Sequence, residues 1–170
     1  MATLIKHNRV VEDPWRMLGH GDLNQDNLNQ NSLNQCHVLI SEAPSYSILP
    51  LQAYDGFSQW PIKHKMLGAW FSADTAPATL TQALLSLPLL CIDIEHFNHG
   101  QGFSLAPVIK QQLNYQGELR ATGNLIPDQL PYLQRCGIDS FSLSDEIDWE
   151  YALLALQQAP APSRFQKAFY

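Results

Sequence analysis

From residue 67 to residue 158 the chain alternates strand-like runs with helix-like ones, and this alternation limits the fold more than any other feature. Leu67 to Phe71, Leu89 to Ile94, Glu118 to Ala121 and Ser140 to Leu143 read as strands. A helix follows each. The first is capped by Asp74 or Thr75, with Pro77 near its first turn and Leu80, Leu84 and Leu85 at helical spacing. The second covers Phe103 to Leu113, with Leu105, Val108, Ile109 and Leu113 on one stripe; Pro107 falls in its first turn if it begins near Ser104. The third runs from Pro127 to Arg135 and stops at Gly137. The last is capped by Ser144 or Asp145 and runs through Gln157, carrying Ile147, Tyr151, Leu153 and Leu154. Strands separated by single helices imply parallel pairing with right-handed crossovers. The expected class is α/β: about four consecutive βα units on a parallel sheet, half-(βα)8-barrel-like or flavodoxin-like. Both arrangements gather ligands at the carboxyl ends of the strands. Those ends are the loops starting near Ser72, Glu95, Thr122 and Ser144.

The rest of the chain is arranged around this core as a single domain over residues 1–170. Residues 1–19 hold a small N-terminal β-hairpin, Thr3 to Lys6 and Val10 to Val11, turning at His7-Asn8. Asp13-Pro14 then breaks the chain, and Trp15 and Met17 are docking residues. Residues 20–36 repeat LNQ at a period of five. Three units cannot bury a face by stacking, and Gly21, Asp26 and Asn31 occupy positions where a pentapeptide-repeat β-helix needs small apolar residues. The segment is expected to be a flexible polar insertion. Val38 to Ile40 and Ile48 to Leu51 are strand candidates, and Asp55-Gly56 is a turn. Residues 67–158 form the βα-repeat core and 159–170 a tail.

Net charge is −6, which argues against a nucleic-acid binder reliant on phosphate contacts. No run approaches the ~20 apolar residues of a membrane span, and the first residues lack the apolar stretch of a signal peptide. The three cysteines, Cys36, Cys91 and Cys136, form no CxxC pair and are expected to be reduced, cytoplasmic thiols. Cys91, in LPLLCIDI, reads as a buried small hydrophobe.

The loop Glu95 to Gly102 is the densest in functional groups. His99, Gly100, Gln101, Gly102 and Ser104 are candidates for an anion site, since glycines let backbone amides approach a ligand. No third glycine completes a dinucleotide fingerprint. His96 and His99 are a weak metal pair that lacks an evident third ligand. Arg120 shares a strand face with Glu118 and Thr122, and a cation there must find an acid or an anionic ligand. Asp128, Asp139 and Asp93 are the candidate acids. Asn124 lies at the same strand end; Asp128 and Gln129 open the next helix, and Arg135 and Cys136 close it. A cation beside Cys136 can lower a thiol pKa. No Walker loop, catalytic triad or paired carboxylates stand out, and no cofactor is recognisable. The four tryptophans are scattered, as core anchors would be.

The segment GFSLAPVIKQQLNYQGELRATGNLIPDQLPYLQRCGIDSFSL resembles the DUF934 family of bacterial proteins, which carries the label of an oxidoreductase of sulfite reduction. The resemblance rests on Gly100, Gly102, Ser104, Tyr115, Gly117 to Ala121, Gly123, Asp128 to Leu130, Arg135 to Gly137 and Phe141, and is strongest from Leu67 to Leu143. Asp13, Trp15 and the Leu49-Pro50-Leu51 run also look like the family. It implies an accessory protein of assimilatory sulfite reduction acting with sulfite reductase components, the chain showing no cofactor motif for an oxidoreductase of its own. The alternative is a small enzyme or binding protein for sulfite, sulfate or a phosphorylated metabolite at the strand ends. Ile94-Glu95 replaces the family's Phe-Pro, His99 stands at its Asp, Gln101 at its Arg, and Phe169-Tyr170 replaces its terminal Tyr-Gln pair. A catalytic role for that Asp and Arg would leave this chain impaired. An open half-barrel also leaves sheet edges for a partner, so a homodimer or a hetero-complex is expected.

Overall fold

The computed structural model describes residues 3–18, 40, 43–55, 66–95 and 101–158. Its strands are β1 (Thr3–Lys6), β2 (Arg9–Val11), β3 (Arg16–Met17), β4 (Ser47–Pro50), β5 (Leu67–Ser72), β6 (Leu89–Ile94), β7 (Glu118–Gly123) and β8 (Ser140–Leu143). The α-helices are α1 (Gln82–Leu85), α2 (Gln101–Pro107), α3 (Leu130–Arg135) and α4 (Trp149–Gln158). All eight strands join one curled, half-barrel sheet in the order β2-β1-β8-β7-β6-β5-β4-β3. From β3 to β8 every neighbour is parallel and sequential. β1 lies antiparallel on β8, and β2 antiparallel on β1 across His7 and Asn8, whose φ values are 52° and 56°. A flavodoxin-like sheet reverses its strand order at a switch point. This order never reverses, so the sheet takes the half-barrel arrangement instead.

Alternation along the strands gives the sheet two unlike faces. Leu49, Leu67, Ala69, Phe71, Leu90, Ile92, Leu119, Ala121, Phe141, Leu143 and Ile5 face the helices and are buried in one core. Each large aliphatic in that core contributes ~1.5–3 kcal/mol. The helices complete it with Leu84, Ile109, Leu130, Leu133, Ala152 and Leu156. The opposite, concave face carries a small second cluster, Ile48, Leu89 and Cys91, with Trp15 and Trp70 packed on it.

Chain length alone requires the curl. β2 and β3 sit at opposite edges of the sheet, yet Glu12 to Trp15 are all that joins them. Seven gaps of ~4.8 Å would place those edges ~34 Å apart in a flat sheet. The five steps from Val11 to Arg16 reach at most ~18 Å. The sheet must therefore bend until its edges approach, and residues 12–15 form a strap across the concave side.

Five expectations need correction. The first helix is not one run capped by Asp74 or Thr75: Pro77–Thr79 is a 3-10 turn, and α1 starts separately behind Thr81. Helix α2 starts at Gln101, so Pro107 is its seventh residue rather than part of its first turn. Proline has no N–H for the carbonyl four residues back, and a wider π-turn, Val108–Gln112, takes over from there. The cap of α4 is Asp148, not Ser144 or Asp145: its Oδ1 accepts the Glu150 and Tyr151 amides at 3.0 and 3.1 Å. The buried stripe of α4 is Ala152 and Leu156, while Tyr151 and Leu154 are 48% and 46% exposed. The small Ala152 side chain lets the helix approach the sheet and turns the larger side chains outward. Of the strand at Val38 to Ile40, only Ile40 is described; it is helical and buried. The LNQ segment at 20–36 and the tail at 159–170 lie outside the described residues.

Candidate functional site

The concave face centres on Arg120. Sheet register sets Cys91 and Ser140 beside it on the flanking strands, with Lys6 of β1 opposite Ser140. Arg120 is only 2% exposed. Its Nη1 donates to Asp13 Oδ2 at 2.8 Å and its Nη2 to Glu118 Oε1 at 3.0 Å. Its Nε donates to Glu118 Oε1 at 3.3 Å and to Ser140 Oγ at 3.4 Å. The Ser140 hydroxyl donates to Glu118 Oε1 at 2.6 Å, and Lys6 pairs with Glu118 Oε2. Two cations and two carboxylates therefore form one network, with the strap supplying one of the acids. The sequence pointed to Asp128, Asp139 and Asp93 as partners of Arg120; the acids it meets are Glu118, two residues away on the same strand face, and Asp13. Asp139 instead pairs with Lys110 and accepts the Leu119 amide at 2.8 Å.

The network sets the titration of its members. Burial pushes the Glu118 carboxyl up, but hydrogen bonds from Lys6 and Ser140 and the Arg120 guanidinium outweigh it, and the net shift is downward. Burial pushes the Cys91 thiol up to about 12, against the pull of Arg120. At the carboxyl end of β6, burial and then the neighbouring Glu95 charge raise Asp93.

The other candidates fall in separate places. Asn124 is exposed at the end of β7, where its amide and Nδ2 bond the Ile94 and Glu95 carbonyls at 2.8 and 2.7 Å. Those bonds tie two strand ends together. Gly123, with φ of 93°, makes the turn beside them. Gln101 and Gly102 begin α2, and Ser104 is exposed on it. Asp128, Gln129, Arg135 and Cys136 lie on the outer, helical side, away from Arg120. Asp128 Oδ1 accepts the Tyr151 hydroxyl at 2.7 Å. Arg135 Nε donates to the Pro131 carbonyl at 3.2 Å, and its guanidinium lies 4.5 Å from the Tyr132 ring centre. Cys136 is half-buried, and burial raises its pKa more than Arg135 lowers it, which removes the expected activation. His96, His99 and Gly100 lie outside the described residues. Among the described residues, no group of three or more His, Cys, Asp or Glu could hold a metal ion.

Sequence reading missed Asp13 as a member of this network. The signal available was its place two residues before Trp15: Trp15 docks on Ile48, Leu89 and Cys91, and its docking brings Asp13 over Arg120. No helix of the described residues is long and apolar enough to cross a membrane. The family model of DUF934, described as a bacterial protein of unknown function, matches residues 68–169, and the chain belongs to that family. No curated protein and no solved structure matches it.

Proposed function

We propose that this DUF934 protein is a non-catalytic accessory factor of assimilatory sulfite reduction, working through contact with a sulfite reductase component. The observation that carries the reading is the neutralisation of Arg120. A buried arginine at the centre of a parallel sheet is the natural clamp for an anionic substrate, but here Asp13 and Glu118 occupy its guanidinium. Cys91 beside it, with a thiol pKa of about 12, is no nucleophile at neutral pH. The described concave face thus spends its charges on holding the strap. We read β5 through α4 as four successive βα units behind a small N-terminal β-hairpin. In this reading the exposed edge strands, with Val10 at 45%, Val11 at 37% and Met17 at 38% exposure, are the surface offered to a partner, either that component or a second copy.

Deletion of the reading frame in a bacterium that carries it tests the proposal. Growth on sulfate or sulfite as sole sulfur source should slow, and sulfide should restore it. Undiminished growth on sulfite refutes the role. The alternative, an anion site at the strand ends, retains Asn124 and the helix start at Gln101 but loses Arg120. A thermal-shift series with sulfite, sulfate and phosphate tests it, and a shift with any of the three favours it over the accessory role.

A further inference from the structure

Helices α3 and α4 lie side by side on the outer surface and leave a groove of about 260 Å³ between them. Asp128 and Tyr151 stand at one end, Arg135 and Gln158 at the other, with Tyr132 and Leu154 along the walls. Tyr132, Tyr151 and Leu154 are 58%, 48% and 46% exposed, an unusual concentration of apolar surface on two short helices. We infer that this groove seats the chain's own C-terminal segment, residues 164–170.

Position, length and charge all single out that occupant. Gln158 is the last residue of α4 and lines the groove, so the segment that follows leaves from its rim. Pro160 and Pro162 lack the N–H that a continuing helix uses, and proline favours a change of direction. The groove spans about seven helical residues, ~10 Å. The twelve residues from 159 to 170 reach ~40 Å when extended. They can therefore turn at the prolines and run back along the groove. Phe165, Phe169 and Tyr170 supply apolar mass for the Tyr132 and Leu154 walls. The segment carries Arg164 and Lys167 and no acid, whereas the far end of the groove carries Asp128, with Asp148 and Glu150 exposed at the start of α4. The family match takes in both groove and tail, so the two belong to one matched block. This inference does not depend on the proposed role in sulfite reduction.

Amide hydrogen exchange on the full chain tests it, comparing the parent with Phe165→Ser/Phe169→Ser and, separately, with Leu154→Arg. Protection over residues 130–136 and 151–158 should fall at least ~10-fold in both variants, while β6 and β7 amides keep theirs as the control for folding. A synthetic peptide of residues 159–170 should restore protection in the Phe variant and not in Leu154→Arg. Unchanged protection in the Phe variant overturns the inference, and that variant suffices if Leu154→Arg fails to fold. Loss of groove protection on dilution of the parent, with a dimer becoming monomer, also overturns it by assigning the groove to the tail of a second copy.

Discussion

Replacing Arg120 with alanine measures what holds the strap against the sheet. Two opposite charges ~3 Å apart at an effective dielectric of ~20 attract by about 5 kcal/mol. Much of that is cancelled by the cost of taking both from water, so the intact network adds little net stability. Removing one partner is different, because the desolvation remains and the attraction is lost; such changes cost ~3–5 kcal/mol. Glu118 would keep Lys6 and Ser140, so its charge is not fully stranded. Asp13, whose side chain is 20% exposed, would lose its cation. These offsets place Arg120→Ala near the lower end, ~3 kcal/mol. In a chain of this size that corresponds to a melting temperature ~6–12 °C lower. Arg120→Met, which fills more of the vacated space, should cost less, and adding Asp13→Asn to it should recover at least ~1 kcal/mol, since the two residues are coupled. Urea unfolding followed by far-UV circular dichroism, without ligand, gives all three values. A loss below ~1 kcal/mol, or a gain, would show that Arg120 is a ligand clamp rather than part of the closure.

Trp15→Ala should cost ~2–3 kcal/mol, below the full value for a buried tryptophan because Trp15 is only half-buried, and it should speed maleimide labelling of Cys91 in the folded protein. Labelling as slow as in the parent would mean that the strap does not shield that face. Gly123→Ala should cost ~2–3 kcal/mol by thermal denaturation, since φ is 93° and a new Cβ would sit 2.6 Å from Asp93 Oδ1 and the Ile94 carbonyl oxygen. The two perturbed carboxylates should act with opposite sign on stability against pH. Glu118, with its pKa lowered by folding, stabilises above its unfolded pKa, and the contribution is lost as pH falls through the folded value. Asp93, with its pKa raised, stabilises below its unfolded pKa, and the contribution is lost as pH rises through the folded value. Melting curves from about pH 3 to 7 should therefore show Glu118→Gln removing part of the acid loss and Asp93→Asn removing part of the loss on the rising side. Identical profiles for both variants and the parent would refute this assignment.

The strands were readable where burial on both faces makes a continuous apolar run. Leu89–Ile94 appears with the ends that the sequence suggests, and so does Ser140–Leu143, where serine alternates with apolar residues instead. The inner face of α4 was not readable, because periodicity weighs large side chains and the residue that decides the approach is Ala152. The partner of Arg120 was out of reach for a different reason. Glu118 was visible as a residue on the same strand face, but Asp13 lies 107 positions away in sequence and meets Arg120 only because the sheet curls. Curl was itself implicit in the sequence, yet only after strand order is known does the four-residue link from β2 to β3 become a measure of it. The sequence sets Asn124 at the strand end and Asp128, Arg135 and Cys136 on the helix that follows, and the structure keeps them apart in that way. The turn before α3, its last residue and the residue after it place Asp128, Arg135 and Cys136 on the outer surface.

A half-barrel has to do something with its concave face. A full (βα)8 barrel fills its interior with layers of side chains from all the strands around it; six parallel strands and an antiparallel pair cannot. This chain covers its concave side with a strap too short to carry much apolar surface. Trp15 covers the part near β4 to β6, and Asp13 anchors the part near β7. A short anchor over a sheet needs a strong, directional contact, and a buried guanidinium with several fixed donors supplies one where a single Leu or Val could not. That requirement accounts for an arginine in the middle of a parallel strand without invoking a substrate. It also separates structure from function in this fold: the charges at the concave centre are committed to closure, and the exposed apolar side chains of the described sheet, Val10, Val11 and Met17, lie at its edges.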